Sequence, residues 1–282
     1  MNNHLTICEK KAIIDYVYRF TEWGGIKMKF IVSASSDVGI TKKTNQDSAM
    51  VKVLSLDGEE AALGVICDGV GGLSKGEVAS ATVIKAMEQW FLTRFPELIY
   101  SDRLEDAVFS DWKKLIDVYN QKIRNYGKMN EIMLGTTISA ILIWKDQYYV
   151  VNVGDSRVYE MGESLRIITK DQTIVEFELA NGMITPEQAK TDKRKNILLQ
   201  CIGASEVVIP DFFKGDALGN TVYVLCSDGF RHLITEDELY EAFCPENTRA
   251  EFEIKSNELE LIELNKKRQE KDNISVLTIK IR

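Results

Sequence analysis

The sequence is short of the residues that several common chemistries require. Its 282 residues include 2 histidines, 4 prolines and 5 cysteines, and no two cysteines are spaced as Cys-x-x-Cys. An odd, scattered set of cysteines argues against a disulfide framework and against a structural zinc site. A Ser-His-Asp or Cys-His mechanism would depend on His232 alone, because the other histidine, His4, lies near the start of the sequence. We therefore expect carboxylates to carry any catalysis.

Long apolar runs and an excess of positive charge are also absent. The mostly apolar stretches, such as Ile138–Trp144, are far too short to span a bilayer, and no secretory signal pattern opens the sequence. Lys and Arg total 35 against 43 Asp and Glu, and this net charge of −8 disfavours nucleic acid and anionic lipid as partners. We expect a cytoplasmic protein that binds neither nucleic acid nor membrane.

No linker divides the sequence after about residue 29, since it contains no Ser/Gly-rich stretch, low-complexity block or repeat of solenoid period. We expect one domain over residues 29–282, preceded by an N-terminal extension over residues 1–28. Residues 12–23 could form an amphipathic helix within that extension. Alternatively, Met28 is the true initiator, because Gly24-Gly25 can be encoded as a ribosome-binding sequence. We favour Met28, and N-terminal sequencing of protein from its native locus would decide.

Strand and helix patterns come in blocks rather than in strict alternation. Apolar runs at 29–35, 49–54 and 61–67 indicate strands, and helical periodicity follows over 77–95 and 104–126. The later predicted elements are strands at 136–144, 148–153, 156–159, 165–169, 222–226 and 273–281, and helices at 173–180, from 186, at 236–243 and at 248–269. Such blocks favour an α+β fold with antiparallel sheets, and strands buried on both faces fit two stacked sheets with helices outside.

Five aspartates lie next to apolar strand patterns. Asp68, Asp155, Asp228 and Asp272 each lie at the mouth of a hydrophobic strand, and Asp47 comes just before the strand that begins near residue 49. Carboxylates that converge from strand ends, without His or Cys, form an all-oxygen site that suits Mg²⁺ or Mn²⁺. The alternative is that Asp-Gly is simply a common turn dipeptide. That explanation is sufficient for one occurrence but requires a coincidence for four.

The motifs, taken in order, resemble those of the metal-dependent protein serine/threonine phosphatases of the PPM class (PP2C-like), in their compact bacterial form. The resemblance covers roughly residues 30–282, and its main blocks are Asn45-Gln46-Asp47, Asp68-Gly69-Val70-Gly71-Gly72, Gly154-Asp155-Ser156-Arg157, Cys226-Ser227-Asp228-Gly229 and Asp272-Asn273-Ile274. It implies a PP2C-like sandwich of two antiparallel β-sheets flanked by α-helices, with metals in a channel at one end. It also implies hydrolysis of phosphoserine and phosphothreonine on proteins.

Carried over residue by residue, the resemblance implies a metal site with Mn²⁺ or Mg²⁺ at two main positions. The implied ligands are Asp47, Asp68, the carbonyl of Gly69, Asp155, Asp228 and Asp272. Asp68 would bridge two metals, Asp228 and Asp272 would hold the first, and Asp47 would hold the second largely through water. Asp155 would bind a third, weaker metal. Two adjacent cations lower the pKa of a bridging water, so that it can attack phosphorus in line.

Three departures from the family pattern are visible. The phosphate-binding arginine is replaced by Lys42, the glutamate that often precedes the Asp47 position is Gln46, and Val70 stands where some members carry a histidine acid. We expect Lys42 to take over the contact with phosphate, and water to protonate the leaving group. The alternative is that Lys42, or its neighbour Lys43, is only a surface lysine in a loop. None of the departures deletes a direct ligand. An active enzyme is therefore the favoured interpretation over a catalytically weak or inactive PP2C-fold module that acts as a regulatory binding protein.

The resemblance also bears on partners. Phosphoprotein substrates and a cognate Ser/Thr kinase are expected, and the chain is expected to be a monomer. A partner-switching phosphatase acting on one anti-sigma-factor antagonist is a third possibility, although those proteins usually carry sensor domains. Residues 173–195 correspond to the mobile flap beside the channel in bacterial members, but their charges fit an ordinary solvated surface equally well.

Overall fold

The strands form two five-stranded antiparallel sheets in a computed structural model that describes residues 28–70 and 75–282. The first sheet has the order β1 (Phe30–Asp37), β10 (Ile274–Ile281), β9 (Val222–Cys226), β6 (Arg157–Met161) and β7 (Leu165–Ile167). The second has the order β2 (Ser48–Leu56), β3 (Glu59–Cys67), β4 (Ile138–Trp144), β5 (Gln147–Val153) and β8 (Asp211–Asp216). The predicted α+β class and antiparallel sheets are confirmed.

The two sheets pack face to face around an apolar core. Along β10, Leu277 and Ile279 face this core, whereas Ile274 and Val276 pack in the cluster on the outer side of the same sheet. Such alternation places successive side chains on opposite faces, so the apolar residues of β10 are buried on both faces of the first sheet. On β3, a Cβ at Gly64 would lie 2.8 Å from Leu277 Cδ1, so glycine lets the sheets approach closely here.

Helices cover the outer faces of the sandwich. In chain order they are α1 (Gly76–Thr93), α2 (Phe95–Leu98), α3 (Leu104–Met129), α4 (Ile174–Ala180), α5 (Pro186–Thr191), α6 (Asp228–Arg231), α7 (Glu236–Phe243) and α8 (Glu251–Lys267). Helices α1 to α3 pack on the second sheet through a cluster that includes Met87, Trp112 and Ile116. Helices α7 and α8 pack on the first sheet through Leu239, Phe243 and Leu261. The sandwich is therefore flanked by helices on both sides, as predicted.

Strand β8 and the short helices α2 and α6 were not predicted from the sequence. Strand β8 lies at the edge of its sheet and is only partly buried, so its polar residues obscure the strand pattern. Its Gly215 leaves room for the ring of Tyr148, whose hydroxyl would lie 2.4 Å from a Cβ there. Helix α6 is a single turn, too short to produce a periodicity. The helix predicted over 77–95 ends at Thr93, and a separate short helix with Pro96 in its first turn follows.

Three further predictions concern the burial of cysteines, membrane-spanning helices and the N-terminal segment. Cys67, Cys201 and Cys226 are buried free thiols, as predicted. Within the part of the chain that the structure describes, none of the helices combines the length and apolarity needed to cross a bilayer. The proposed helix over 12–23 and the glycines of Gly71-Gly72 lie outside the described residues.

A buried carboxylate joins α8 to the first sheet. Glu258 accepts hydrogen bonds from the hydroxyls of Ser33 (2.7 Å), Ser35 (2.7 Å) and Thr278 (2.9 Å). Burial raises the pKa of Glu258 to about 7, although the three hydroxyls and the charge of Lys255 act to lower it. The carboxyl therefore titrates near neutral pH while remaining inside the helix–sheet interface.

We expect Glu258→Gln to flatten the pH dependence of unfolding between about pH 5 and about pH 7.5. The pKa is raised in the folded protein above its ordinary value of 4.5, so the folded state binds more protons in this window. The free energy of unfolding of the wild type therefore falls as pH rises through it. Relative to the wild type, the variant should gain about 2 to 3 kcal/mol on going from the lower to the higher pH.

Urea unfolding of metal-free protein at several pH values measures this difference. Other buried carboxylates contribute equally to both proteins, so the difference between them isolates Glu258. A stability difference that does not change with pH would show that Glu258 does not titrate in this range.

Candidate metal centre

Four of the five predicted aspartates line one cavity at the strand ends. Asp68 follows β3, Asp155 follows β5, Asp228 follows β9 and Asp272 precedes β10, and all four face a cavity of about 530 Å³. Asp47 is buried just before β2, and its charge acts on Asp68. The structure thus brings together aspartates that are separated by up to 225 positions in the sequence, as their places at strand ends predicted.

Local backbone contacts hold the Asp68-Gly69 segment. The N–H of Asp68 donates to Thr137 Oγ1 (2.9 Å), and its carbonyl accepts from the N–H of Thr137 (2.8 Å) and the hydroxyl of Thr136 (2.9 Å). The N–H of Gly69 donates to the carbonyl of Gln46 (3.1 Å), which would lie 2.5 Å from a Cβ at Gly69. Only glycine fits where these two segments cross, so Gly69 allows the segment after β3 to pack closely against the segment before β2.

The crowding of carboxylates raises several pKa values. Burial is the largest cause for Asp47, Asp68 and Asp155, and the charges of neighbouring aspartates add to it. The pKa values of Asp47 and Asp155 rise to about 7, and that of Asp68 rises well above its usual range. The site therefore holds more negative charge than the protein neutralises, and a bound cation would reverse these shifts.

The carboxylate of Asp228 has an unsatisfied oxygen. Its Oδ1 is buried without a hydrogen-bond partner in the described structure, and its Oδ2 lies 3.4 Å from His232 Nε2. A buried, unpartnered carboxylate oxygen is costly unless a cation or water binds it. Among residues 28–70 and 75–282, no three acidic, histidine or cysteine side chains already form a metal-binding cluster. The all-oxygen donor set fits Mg²⁺ or Mn²⁺, and this fit rests on the donors and their charge.

Lys42 lies in the same cavity. Its Nζ is 2.8 Å from Asp272 Oδ1. Burial lowers the pKa of Lys42, but the hydrogen bond and charge of Asp272, with the charges of Asp68 and Asp228, outweigh it and raise the pKa overall. Lys42 is therefore held in its charged form beside the aspartates, whereas the neighbouring Lys43 is exposed and does not line the cavity.

Asn273 anchors the loop that carries Lys42. Its Nδ2 donates to the carbonyls of Val38 (2.9 Å) and Thr44 (3.2 Å), and its Oδ1 accepts from the N–H of Gln46 (2.9 Å). Both ends of the loop are thereby fixed to the start of β10. This role was not predicted, because nothing in the Asp-Asn-Ile motif indicates which distant backbone groups the amide would meet.

Asp47 and Gln46 each have a side-chain hydrogen-bond contact in the described structure. The Ser275 hydroxyl donates to Asp47 Oδ2 at 2.6 Å, so one oxygen of this predicted ligand is already occupied. The side-chain amide nitrogen of Gln46 lies 3.5 Å from Glu77 Oε2. Gln46 thus contacts a carboxylate of α1 that the sequence analysis did not consider.

Two further cationic or polar side chains follow Asp228 within one helical turn. Arg231 donates through Nη2 to the carbonyl of Asp155 (2.9 Å) and to Asp171 Oδ2 (3.0 Å), and it lies 3.9 Å from Asp155 Oδ2. His232 contacts Asp228, as described above. The four-residue spacing from Asp228 could have indicated the His232 contact, whereas no such spacing relates Arg231 to Asp155 or Asp171. Arg231 partly neutralises Asp155, so the predicted third metal would share that carboxylate with a guanidinium.

Comparison with known proteins agrees with this arrangement. The family model described as Protein phosphatase 2C matches residues 40–260. Serine/threonine phosphatase stp of Listeria monocytogenes is 31% identical over 191 residues, which cover 66% of this chain and 73% of that protein. Serine/threonine phosphatase Stp1 from Staphylococcus aureus has a TM-score of 0.75 at 25% identity, covering 94% of this chain and 100% of that one.

A second similar structure contains metal. The catalytic domain of the serine/threonine protein phosphatase PstP in complex with two manganese ions has a TM-score of 0.70 at 27% identity, covering 90% of this chain and 99% of that one. The resemblance drawn from the motifs is therefore confirmed. With its sandwich fold, its aspartate-lined cavity and these matches, the chain belongs to the protein phosphatase 2C family of serine/threonine phosphatases.

Proposed function

We propose that the protein hydrolyses phosphoserine and phosphothreonine on proteins by metal-dependent attack of water at a binuclear Mn²⁺ or Mg²⁺ centre. The observation that supports this most directly is the cavity lined by Asp68, Asp155, Asp228 and Asp272, whose negative charge Lys42 and Arg231 compensate only in part. The two manganese ions of the PstP structure support the same choice of cofactor.

The residues of the cavity have distinct proposed roles. Asp68 would contact both metals, Asp228 and Asp272 the first, and Asp47 the second, with the Gly69 carbonyl as a further ligand. When bound, the cations would supply a nucleophilic water at neutral pH and positive charge for the phosphate. The unpartnered Oδ1 of Asp228 is available for this purpose without breaking any hydrogen bond. Asp155, contacted by Arg231, would serve the third, weaker site.

The described lining of the cavity contains no histidine. Val70 lines it at the position where some family members carry a candidate acid. The proton for the departing serine or threonine oxygen would therefore come from water. The substrates would be phosphoproteins of the cytoplasm, opposed by a Ser/Thr kinase, and the protein would act in signalling as a monomer.

Lys42 is proposed to bind a phosphoryl oxygen. A lysine offers one compact charge where the family's arginine offers a planar fork that holds two oxygens, so the ground-state grip on phosphate should be weaker. We expect Lys42→Arg to lower KM for a phosphopeptide and Lys42→Ala to raise it, with kcat changing less. Because Lys42 also pairs with Asp272, activity should be measured at saturating Mn²⁺.

Lys43→Ala is the matched control, because Lys43 adjoins Lys42 in sequence but lies outside the cavity. Steady-state kinetics on one phosphopeptide compare the three variants. If Lys42→Ala changes KM by less than about twofold, equivalent to about 0.4 kcal/mol, another group positions the phosphate.

The proposed function is tested by measuring turnover of phosphoserine and phosphothreonine peptides. The wild type is assayed with Mn²⁺ and with excess chelator, and the variant Asp228→Asn is assayed with Mn²⁺. We expect turnover that requires the metal, is removed by chelation, returns with added Mn²⁺ and is lost in the variant. A protein that binds Mn²⁺ in calorimetry but turns over neither peptides nor p-nitrophenyl phosphate would instead be the catalytically inactive, regulatory module.

A further inference from the structure

The lining of the cavity divides into a charged part and an uncharged part. The charged part consists of Lys42 and the four aspartates described above. The uncharged part comes mainly from one segment, because all six residues from Asn196 to Cys201 line the cavity and none of them carries a charge. A phosphoryl group and its cations belong to the charged part, so the uncharged segment is available to the rest of the substrate.

The backbone of the uncharged segment is firmly held. The carbonyl of Ile197 accepts from the N–H of Ile174 (2.9 Å), and the N–H of Leu199 donates to the carbonyl of Gln172 (2.9 Å). The side chain of Gln200 then donates to the carbonyl of Ile209 (2.6 Å) and accepts from its N–H (2.8 Å). Residues 197–199 thus pair along one edge through a single antiparallel bridge, in which Leu198 lies opposite Thr173, and the chain bends at Leu199.

This pairing presents two large apolar side chains together. In an extended segment, residues two apart project to the same side. Ile197 and Leu199 are 47% and 48% exposed, whereas Leu198 between them is partly buried and bridged to Thr173. Single exposed apolar residues are common and need no explanation. Here two neighbours on one side of a fixed segment border the same cavity as the aspartates.

We propose that Ile197 and Leu199 form an apolar subsite that selects phosphopeptides with a large apolar side chain next to the phosphorylated residue. The inference rests on the proposed function and specifies its substrate class. We assign the substrate peptide to this subsite because the two parts of the lining belong to one cavity. A peptide whose phosphate reaches Lys42 and the aspartates extends along that cavity to the uncharged segment. An acidic side chain beside the phosphate would meet four carboxylates, and Lys42 is the only cation in the described lining.

The test uses matched phosphothreonine peptides that differ only in Leu or Ser, placed either immediately before or immediately after the phosphorylated residue. At saturating Mn²⁺ we expect the wild type to prefer Leu by about tenfold in kcat/KM at one of the two positions, as burial of an apolar side chain typically provides. The double variant Ile197→Ser with Leu199→Ser should reduce that preference to about threefold or less.

Three further variants test whether the preference depends on the apolar side chains of the proposed subsite. Leu199→Ser alone should lose part of the preference and serves if the double variant does not fold. Leu199→Met keeps an apolar side chain and should retain most of the preference. Val207→Ser is the control, since Val207 is 68% exposed but does not line the cavity, and it should discriminate as the wild type does.

Turnover of p-nitrophenyl phosphate distinguishes failure of the proposed subsite from failure of the proposed function. If the wild type hydrolyses it with Mn²⁺ but treats the Leu and Ser peptides within about twofold of each other, the subsite is refuted and the phosphatase function stands. If the wild type hydrolyses neither peptides nor p-nitrophenyl phosphate, the proposed function is wrong and the subsite is refuted with it. Equal discrimination by the wild type and the double variant would place the preference elsewhere on the protein.

Discussion

Asp68→Asn is expected to abolish Mn²⁺-dependent hydrolysis and, at the same time, to stabilise the metal-free protein. The loss of activity should exceed about a hundredfold, which is already the upper range for residues that only orient metal ligands. The gain in stability has an electrostatic cause, since burial and four neighbouring aspartates raise the pKa of Asp68 well above its usual range. An uncharged amide of the same shape removes that cost.

The two effects are measured separately. Thermal unfolding in chelator should show a higher melting temperature for Asp68→Asn, by about 2 to 4 °C for each kcal/mol gained. This advantage should grow with pH, because at low pH the wild-type carboxyl is protonated and costs little. Added Mn²⁺ should raise the melting temperature of the wild type more than that of the variant.

A surface aspartate provides the control. Asp117 pairs with Lys113 on the exposed side of α3, so Asp117→Asn should change stability by less than about 1 kcal/mol and leave the Mn²⁺ response intact. Near-normal hydrolysis by Asp68→Asn would refute its assignment as a metal ligand. An unchanged or lower melting temperature without metal would refute the electrostatic argument alone.

Gly229→Ala is expected to separate the two segments that carry Asp228 and Asp272. A Cβ at Gly229 would lie 2.1 Å from the carbonyl oxygen of Asn273 and 3.2 Å from Asp272 Cβ. The first contact is with backbone, so one segment must move as a whole. We expect about 1 to 3 kcal/mol of lost stability, a Mn²⁺ half-saturation concentration raised at least about tenfold, and kcat/KM lowered by a larger factor.

Calorimetric Mn²⁺ titration and activity at increasing Mn²⁺ together test this expectation. Gly162→Ala is the matched control, because no atom of the described residues lies within 4 Å of the Cβ it would add and its backbone is not left-handed. If Gly229→Ala binds Mn²⁺ with wild-type affinity, Asp228 and Asp272 do not act on one ion.

The sequence was sufficient to predict the sandwich and the convergence of the aspartates. Strand β10 shows why, since its alternating residues are apolar on both sides and are buried in two different clusters. A strand with that pattern lies between layers, and aspartates at the ends of such strands come together. The order of the motifs then indicated the family.

The contacts that hold the site could not be predicted. Asn273, Ser275 and Arg231 act through individual side-chain hydrogen bonds to partners far away in sequence, such as the bond from Ser275 to Asp47 across 228 residues. Such bonds leave no periodic pattern, because each depends on one side chain meeting one group in the folded state. Strand β8 was missed for a related reason, since an edge strand does not require a continuous apolar face.

The place of β10 between β1 and β9 has a consequence for the dynamics of the protein. Backbone amides in a strand paired on both sides exchange with solvent only through large-scale opening of the sheet. Asp272 lies two positions before the first residue of that strand, and Asn273, which is hydrogen-bonded to the loop before β2, lies between them. An ion bound at Asp272 would therefore slow amide exchange across the whole first sheet, so that occupancy of the cavity is registered in residues far from it.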